Sequence, residues 1–173
     1  MTHEEVICLA AATALTFGTM GAAQAADVTA AIGQSGDSTM VYRLGAQWDW
    51  NHSWLESSYG RLTGYWDLGY TYWGGDDTAS NHSVSFAPVF VYEFAGQNVR
   101  PYIEAGIGVA AFSSTELESN DLGSSFQFED RIGVGLRFAG QEIGLRAIHY
   151  SNAGLKNPND GAEAYTVHYR MRF

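Results

Sequence analysis

The stretch AIHYSNAGLK, residues 147–156, carries an imidazole, His149, and a hydroxyl, Ser151, two positions apart. Successive side chains of an extended strand point to opposite faces, so this spacing puts both groups on the same face. A serine hydroxyl is a weak nucleophile until a neighbouring base takes its proton, and a carboxylate beside that base can fix its tautomer and stabilise the imidazolium. Glu163 is the candidate carboxylate. It begins the next alternating stretch, and an antiparallel return through 152–162 brings it beside His149 and Ser151. The three would form a hydrolase constellation. They also have a plainer reading, because Ser and His are common rim groups at the end of a strand, and spacing alone does not choose between the two.

Other candidates are weaker. No G-x-S-x-G elbow occurs, so a soluble esterase has no motif to stand on. His52 and His82 lie in polar segments and His168 falls on the opposite parity, which suits structural or solvated roles. No His/carboxylate group has metal-ligand spacing, so neither a metal nor another cofactor is expected. Asp130 interrupts an otherwise apolar face, and pairing across the AGQ turn places it near residue 150. It could orient part of the site or pair with a neighbouring strand.

The elements that position these residues follow a period of two. In MVYRLGAQWDW the residues Tyr42, Leu44, Ala46, Trp48 and Trp50 share a face against Arg43, Gln47 and Asp49. The stretches GYWDLGYTYW, VSFAPVFVYEF, YIEAGIGVAAF, FQFEDRIGVGLRF, EIGLRAIHYS and EAYTVHYRMRF alternate in the same way, and VTAAIGQ adds one more at the start. This predicts about eight strands, each near the ~9 to 11 residues that cross an outer membrane. The polar face holds Arg43, Asp67, Glu93, Glu104, Glu129, Arg131 and Arg146, whereas the apolar face is large and carries Trp and Tyr near strand ends. Such a chain is inside out, with ionised groups in the lumen and hydrocarbon outside. The expected fold is therefore all-β: an eight-stranded antiparallel transmembrane β-barrel of the bacterial outer membrane.

Composition agrees. The chain has 173 residues, 20 Gly, 3 Pro and 16% charged residues, which suits one domain of many strands joined by turns. Residues 1–25 read as a secretory leader ending in Ala23-Gln24-Ala25, although MTHEE lacks the usual positive charge, and residues 26–173 read as the barrel domain. The only cysteine, Cys8, falls in that leader. Removing the leader takes away Glu4 and Glu5 and moves the formal charge from −10 to −8, which argues against nucleic acid as a partner. The alternation Tyr165, Val167, Tyr169, Met171, Phe173 ends on a terminal Phe, as in the assembly signal of bacterial outer-membrane barrels. With both termini periplasmic, the 141–151 strand runs outward and its end lies near the outer-leaflet interface. A carboxylate on the lipid face is tolerable there, since the cost falls to ~0 to 1 kcal/mol near the rim. Parity then assigns Ile143, Leu145, Ala147, His149 and Ser151 to lipid and Arg146 and Tyr150 to the lumen.

At these residues the sequence resembles the outer-membrane lipid A 3-O-deacylase family, commonly called PagL. The segments YRLG, RLTGYWD, GYTYW, FAPVFVYEF, EAGIGVAAFS, FEDRIG and RAIHYSNAGLK carry the likeness, followed by PNDG. The resemblance implies an eight-stranded barrel with a lipid-facing triad: His149 as base, Ser151 as nucleophile and Glu163 as orienting acid. It also implies an oxyanion site at Asn152 and at the backbone N–H of Gly154. The activity implied is hydrolysis of the ester-linked acyl chain at the 3-position of lipid A in lipopolysaccharide, in the outer membrane. Two rivals stay open, a non-enzymatic small barrel for adhesion or structure and a lipid A acyltransferase or phospholipase-like barrel. Pairing of barrels into a homodimer is also open.

Overall fold

Alternating faces and Gly-rich turns lead the chain into antiparallel strands throughout. The computed structural model describes residues 26–172. The leader expected over 1–25 and the terminal Phe173 lie outside the described residues. The strands are β1 (Asp27–Ser35), β2 (Met40–Asp49), β3 (Gly60–Trp73), β4 (Asn81–Phe94), β5 (Val99–Phe112), β6 (Glu116–Leu117), β7 (Asn120–Asp121), β8 (Phe126–Phe138), β9 (Gln141–Ser151) and β10 (Ala162–Met171). Eight of them close into a barrel in the order β1-β10-β9-β8-β5-β4-β3-β2. Strand β1 pairs with both β2 and β10, so no edge remains. Closure satisfies the backbone within the protein, as a bilayer demands.

The expected inversion of polarity is present. Ile107 and Ile132 are 68% and 66% exposed on the outer face, whereas Arg43 and Glu129 are buried in the lumen. Asp67 accepts from Arg43 Nη2 at 2.6 Å, Arg131 Nη2 at 2.9 Å and Gln47 Nε2 at 2.7 Å. Further along the lumen Arg146 pairs with Glu104 at 2.6 Å, and Arg137 with Glu142 at 2.7 Å. Tyr65, Tyr102 and Tyr150 donate their hydroxyls to Glu104, Glu142 and Glu129. These bonds fill the interior and fix which face of each strand turns inward. Tyr150 and Arg146 do so for β9, and they oblige His149 and Ser151 to face out.

Two details differ from the sequence reading. Residues 114–124, a polar stretch of the sequence (STELESNDLGS) without period-two alternation, include a miniature hairpin, β6 against β7, with Glu116 opposite Asp121 and Leu117 opposite Asn120. Glu118 at its tip accepts the N–H groups of Asp77 and Asp76, both at 2.8 Å, and these bonds hold its carboxyl below the usual carboxylate range. A depressed acid contributes above its unfolded value and is lost as pH falls through its folded one, so this tie loosens only on acidification. His82, read as a loop residue, is the second residue of β4 and bonds Tyr70 Oη through Nδ1 at 2.7 Å. The turn 36–39 is short and the connection 50–59 is long.

Candidate active site

Strand β9 pairs with β8 on one side and β10 on the other, so register places the site. His149 stands opposite Glu163 of β10 and opposite Asp130 of β8, and Ser151 stands opposite Phe128. Asp130, His149 and Glu163 thus form one row across three strands on the outer face. Asp130 is directly across from His149 and makes no ion pair among the described residues. Of its two expected roles, the register shows the strand pairing, with Ile107 of β5 on one side and His149 of β9 on the other.

His149 Nδ1 and Glu163 Oε1 are 2.9 Å apart. Their side chains are 45% and 39% exposed, which places a charge-capable pair on the outside of the barrel. With Nδ1 engaged by the acid, Nε2 is the nitrogen left for a hydroxyl. Ser151 lies ~6.8 Å further along the same face by strand rise, and its hydroxyl makes no hydrogen bond among the described residues. That rise separates the two backbones, so a bond from the hydroxyl to Nε2 needs both side chains to turn toward each other; hydrogen bonds between catalytic groups are often longer than ~2.6 to 3.2 Å before substrate binds. Gly161 makes room for the His149 ring. Its φ is +79°, and a Cβ there would lie 3.0 Å from both His149 Cε1 and the Tyr150 carbonyl oxygen, so an L side chain is disfavoured twice over.

Asn152 is built into the loop. Its side chain is fully buried, and Nδ2 donates to the carbonyls of Leu122 at 2.9 Å, Lys156 at 2.8 Å and Pro158 at 3.3 Å. Its backbone N–H donates to Asn159 Oδ1 at 2.8 Å. Both the amide and the backbone N–H of Asn152 are engaged within the loop, so Asn152 here is the peg of the turn that follows Ser151. In that turn Ala153 and Gly154 adopt φ of 54° and 75°, and the Leu155 N–H closes back on the Asn152 carbonyl at 3.0 Å. The N–H of Gly154 donates to no group among the described residues.

An apolar groove of about 600 Å³ runs from this row across the outer wall, lined by Phe90, Ile107, Ile132 and Tyr165 together with Asp130, His149 and Glu163. Small residues make the depression: Ala147 lies between Ile132 and Tyr165 in the pairing register. A groove of this kind suits an alkyl chain with its polar end at the His–Glu pair. In the lumen, Glu104, Glu142 and His168 bring ligand atoms within 4.8 Å of one another. Arg146 and Arg137 already neutralise the two carboxylates, and Tyr102 Oη lies 2.9 Å from His168 Nε2, so the cluster is part of the charge network.

The sequence missed one neighbour of the site. The turn 35–39 reaches Glu163: the Gly36 N–H donates to the Glu163 carbonyl at 3.1 Å. No periodic signal marks that contact.

Comparison with known proteins points one way. The family model described as "Lipid A 3-O-deacylase (PagL)" matches residues 40–172. A lipid A deacylase from Pseudomonas aeruginosa is 62% identical over 170 residues, covering 97% of this chain and 98% of that protein. Another, from Bordetella bronchiseptica, is 41% identical over 128 residues, covering 72% of this chain and 70% of the relative. The crystal structure of an outer-membrane enzyme, PagL, superposes with a TM-score of 0.83 at 64% identity, covering 85% of this chain and 99% of that one.

Proposed function

The chain belongs to the lipid A 3-O-deacylase (PagL) family, and on that premise we propose that Ser151, His149 and Glu163 carry out its ester hydrolysis on the lipid-facing surface of the barrel. The protein is an outer-membrane ester hydrolase acting on lipid A. The observation that carries the triad is the 2.9 Å contact between His149 Nδ1 and Glu163 Oε1, on the same face as an unbonded Ser151. In the proposed cycle Ser151 Oγ attacks the ester carbonyl at the 3-position while His149 Nε2 takes its proton. The imidazolium, stabilised by Glu163, returns that proton to the sugar oxygen as the acyl-enzyme forms. Water, deprotonated by His149, then releases the 3-hydroxy fatty acid and restores Ser151. The apolar surroundings strengthen the charge interactions on which this cycle relies.

The developing oxyanion is received by the backbone N–H of Gly154, and Asn152 holds that N–H in place. Asn152→Ala leaves the Leu122 and Lys156 carbonyls without their donor, and loosening the turn is expected to lower kcat by about 100-fold. Asn152→Asp, which keeps the shape and loses the N–H groups, should do the same. Wild-type kcat in Asn152→Asp would remove the role.

The function is tested by incubating purified protein with lipopolysaccharide and phospholipid together and weighing the lipid A. Loss of one 3-O-acyl chain with free 3-hydroxy fatty acid supports hydrolysis. A mass gain on lipid A, or loss from phospholipid alone, would replace it with the acyltransferase or phospholipase reading.

A further inference from the structure

Glu163 has two carboxylate oxygens, and only Oε1 faces His149. The other faces Gly36. A Cβ built on Gly36 would stand 3.0 Å from Glu163 Oε2 and 3.7 Å from Glu163 Cβ. The turn that carries Gly36 is braced internally: Ser35 Oγ and Thr39 Oγ1 lie 2.8 Å apart, and the Ser38 N–H donates to the Ser35 carbonyl at 3.0 Å. It is also braced from outside. Asp37 Oδ1 accepts from Ser119 Oγ at 2.8 Å, and Asp37 Oδ2 accepts from Asn120 Nδ2 at 2.5 Å, both on the β6–β7 hairpin. That hairpin also reaches the nucleophile's side of the site. Asp121 exchanges bonds with Asp160, and the Leu122 carbonyl receives the Asn152 amide.

We propose that the turn 35–39 is a positioning element for the acid of the site, with Gly36 as the surface that seats the Glu163 carboxylate and Asp37 as the pin that fixes this turn to the β6–β7 hairpin. This rests on the reading of Glu163 as the orienting acid. Two segments far from the catalytic strands in sequence therefore set the direction from which Glu163 meets His149. The carboxylate is the free end of a flexible side chain, so a side chain added at Gly36 is relieved most cheaply by moving that carboxylate. The barrel itself need not shift. A substitution there reports on the His–Glu contact and not on folding.

The test uses purified full-length barrel, lipopolysaccharide in mixed micelles, and the heat-dependent gel mobility of the folded barrel as a folding check. Gly36→Val is expected to lower kcat by about 10- to 100-fold, as small misplacements of catalytic groups do, with KM held within about twofold. Asp37→Ala should lower kcat by about 3- to 10-fold, and adding Ser119→Ala with Asn120→Ala should change it little further, because all three substitutions cut the same tie. In a Glu163→Ala background, where no carboxylate is left to displace, the effect of Gly36→Val should shrink to less than about twofold, which a general loosening of the barrel would not produce. Wild-type kcat in folded Gly36→Val would overturn the inference, as would an undiminished loss in the Glu163→Ala background. Should Gly36→Val not fold, unchanged kcat in Asp37→Ala overturns it equally. A wild-type protein with no activity on lipopolysaccharide would instead bring down the functional reading, and this inference with it.

Discussion

Ser151→Ala is expected to abolish release of 3-hydroxy fatty acid from lipopolysaccharide while leaving the barrel folded. The loss should be on the order of 10⁵-fold or more, since removing a nucleophile from a working triad eliminates covalent catalysis and leaves only binding and electrostatic stabilisation. Folding should be indifferent. Ser151 is the last residue of β9, and its hydroxyl makes no hydrogen bond among the described residues, so its removal costs no partner. The measurement is paired: mass spectrometry of lipid A for turnover, and gel mobility before and after heating for the fold. Turnover at the wild-type rate in Ser151→Ala would end the nucleophile assignment. Glu163→Gln should lie between the two, because a neutral amide can still contact His149 but stabilises an imidazolium poorly.

The second large effect concerns the lumen. Asp67 is buried and accepts from two guanidinium groups, Arg43 and Arg131. Asp67→Ala leaves Glu129 as the one carboxylate among the described residues that both cations share, and breaking a buried pair from one side destabilises by about 3–5 kcal/mol. The heat-induced shift in gel mobility should move to clearly lower temperature. Replacing Arg43 and Asp67 together by Met and Leu should recover much of the loss, because removing both members of a buried pair is often close to neutral. If the barrel faced the other way, Asp67 would be a solvated surface group and Asp67→Ala would change stability by less than about 0.5 kcal/mol. An unshifted transition would therefore contradict the inverted polarity on which the placement of the site depends.

Much of this was legible in the sequence because period two carries sidedness with it. The alternation of Ile143, Leu145, Ala147, His149 and Ser151 against Arg146, Ile148 and Tyr150 assigns the face of each residue before any partner is known. The return to Glu163 could be estimated because β9 and β10 are neighbours in the chain. The position of Asp130 was close for the same reason, off by one residue across the AGQ turn. The contacts that escaped are those made by loops. Asp37 meets Asn120 across 83 residues, and Asn152 meets Leu122 across 30, and neither pairing leaves a pattern in its own neighbourhood. The place of Asn152 in the loop was hidden for a related reason. Residue type announces a donor, but only the surrounding carbonyls decide where its hydrogens go.

With the proposed His–Glu pair on the outer wall, catalyst and substrate would meet in a two-dimensional fluid. The rate then answers to the mole fraction of lipid A in the leaflet and not to its amount per volume of water. Diluting the surface with inert amphiphile slows the reaction even when bulk concentrations are unchanged. A lumen packed with ion pairs gives the enzyme no other door.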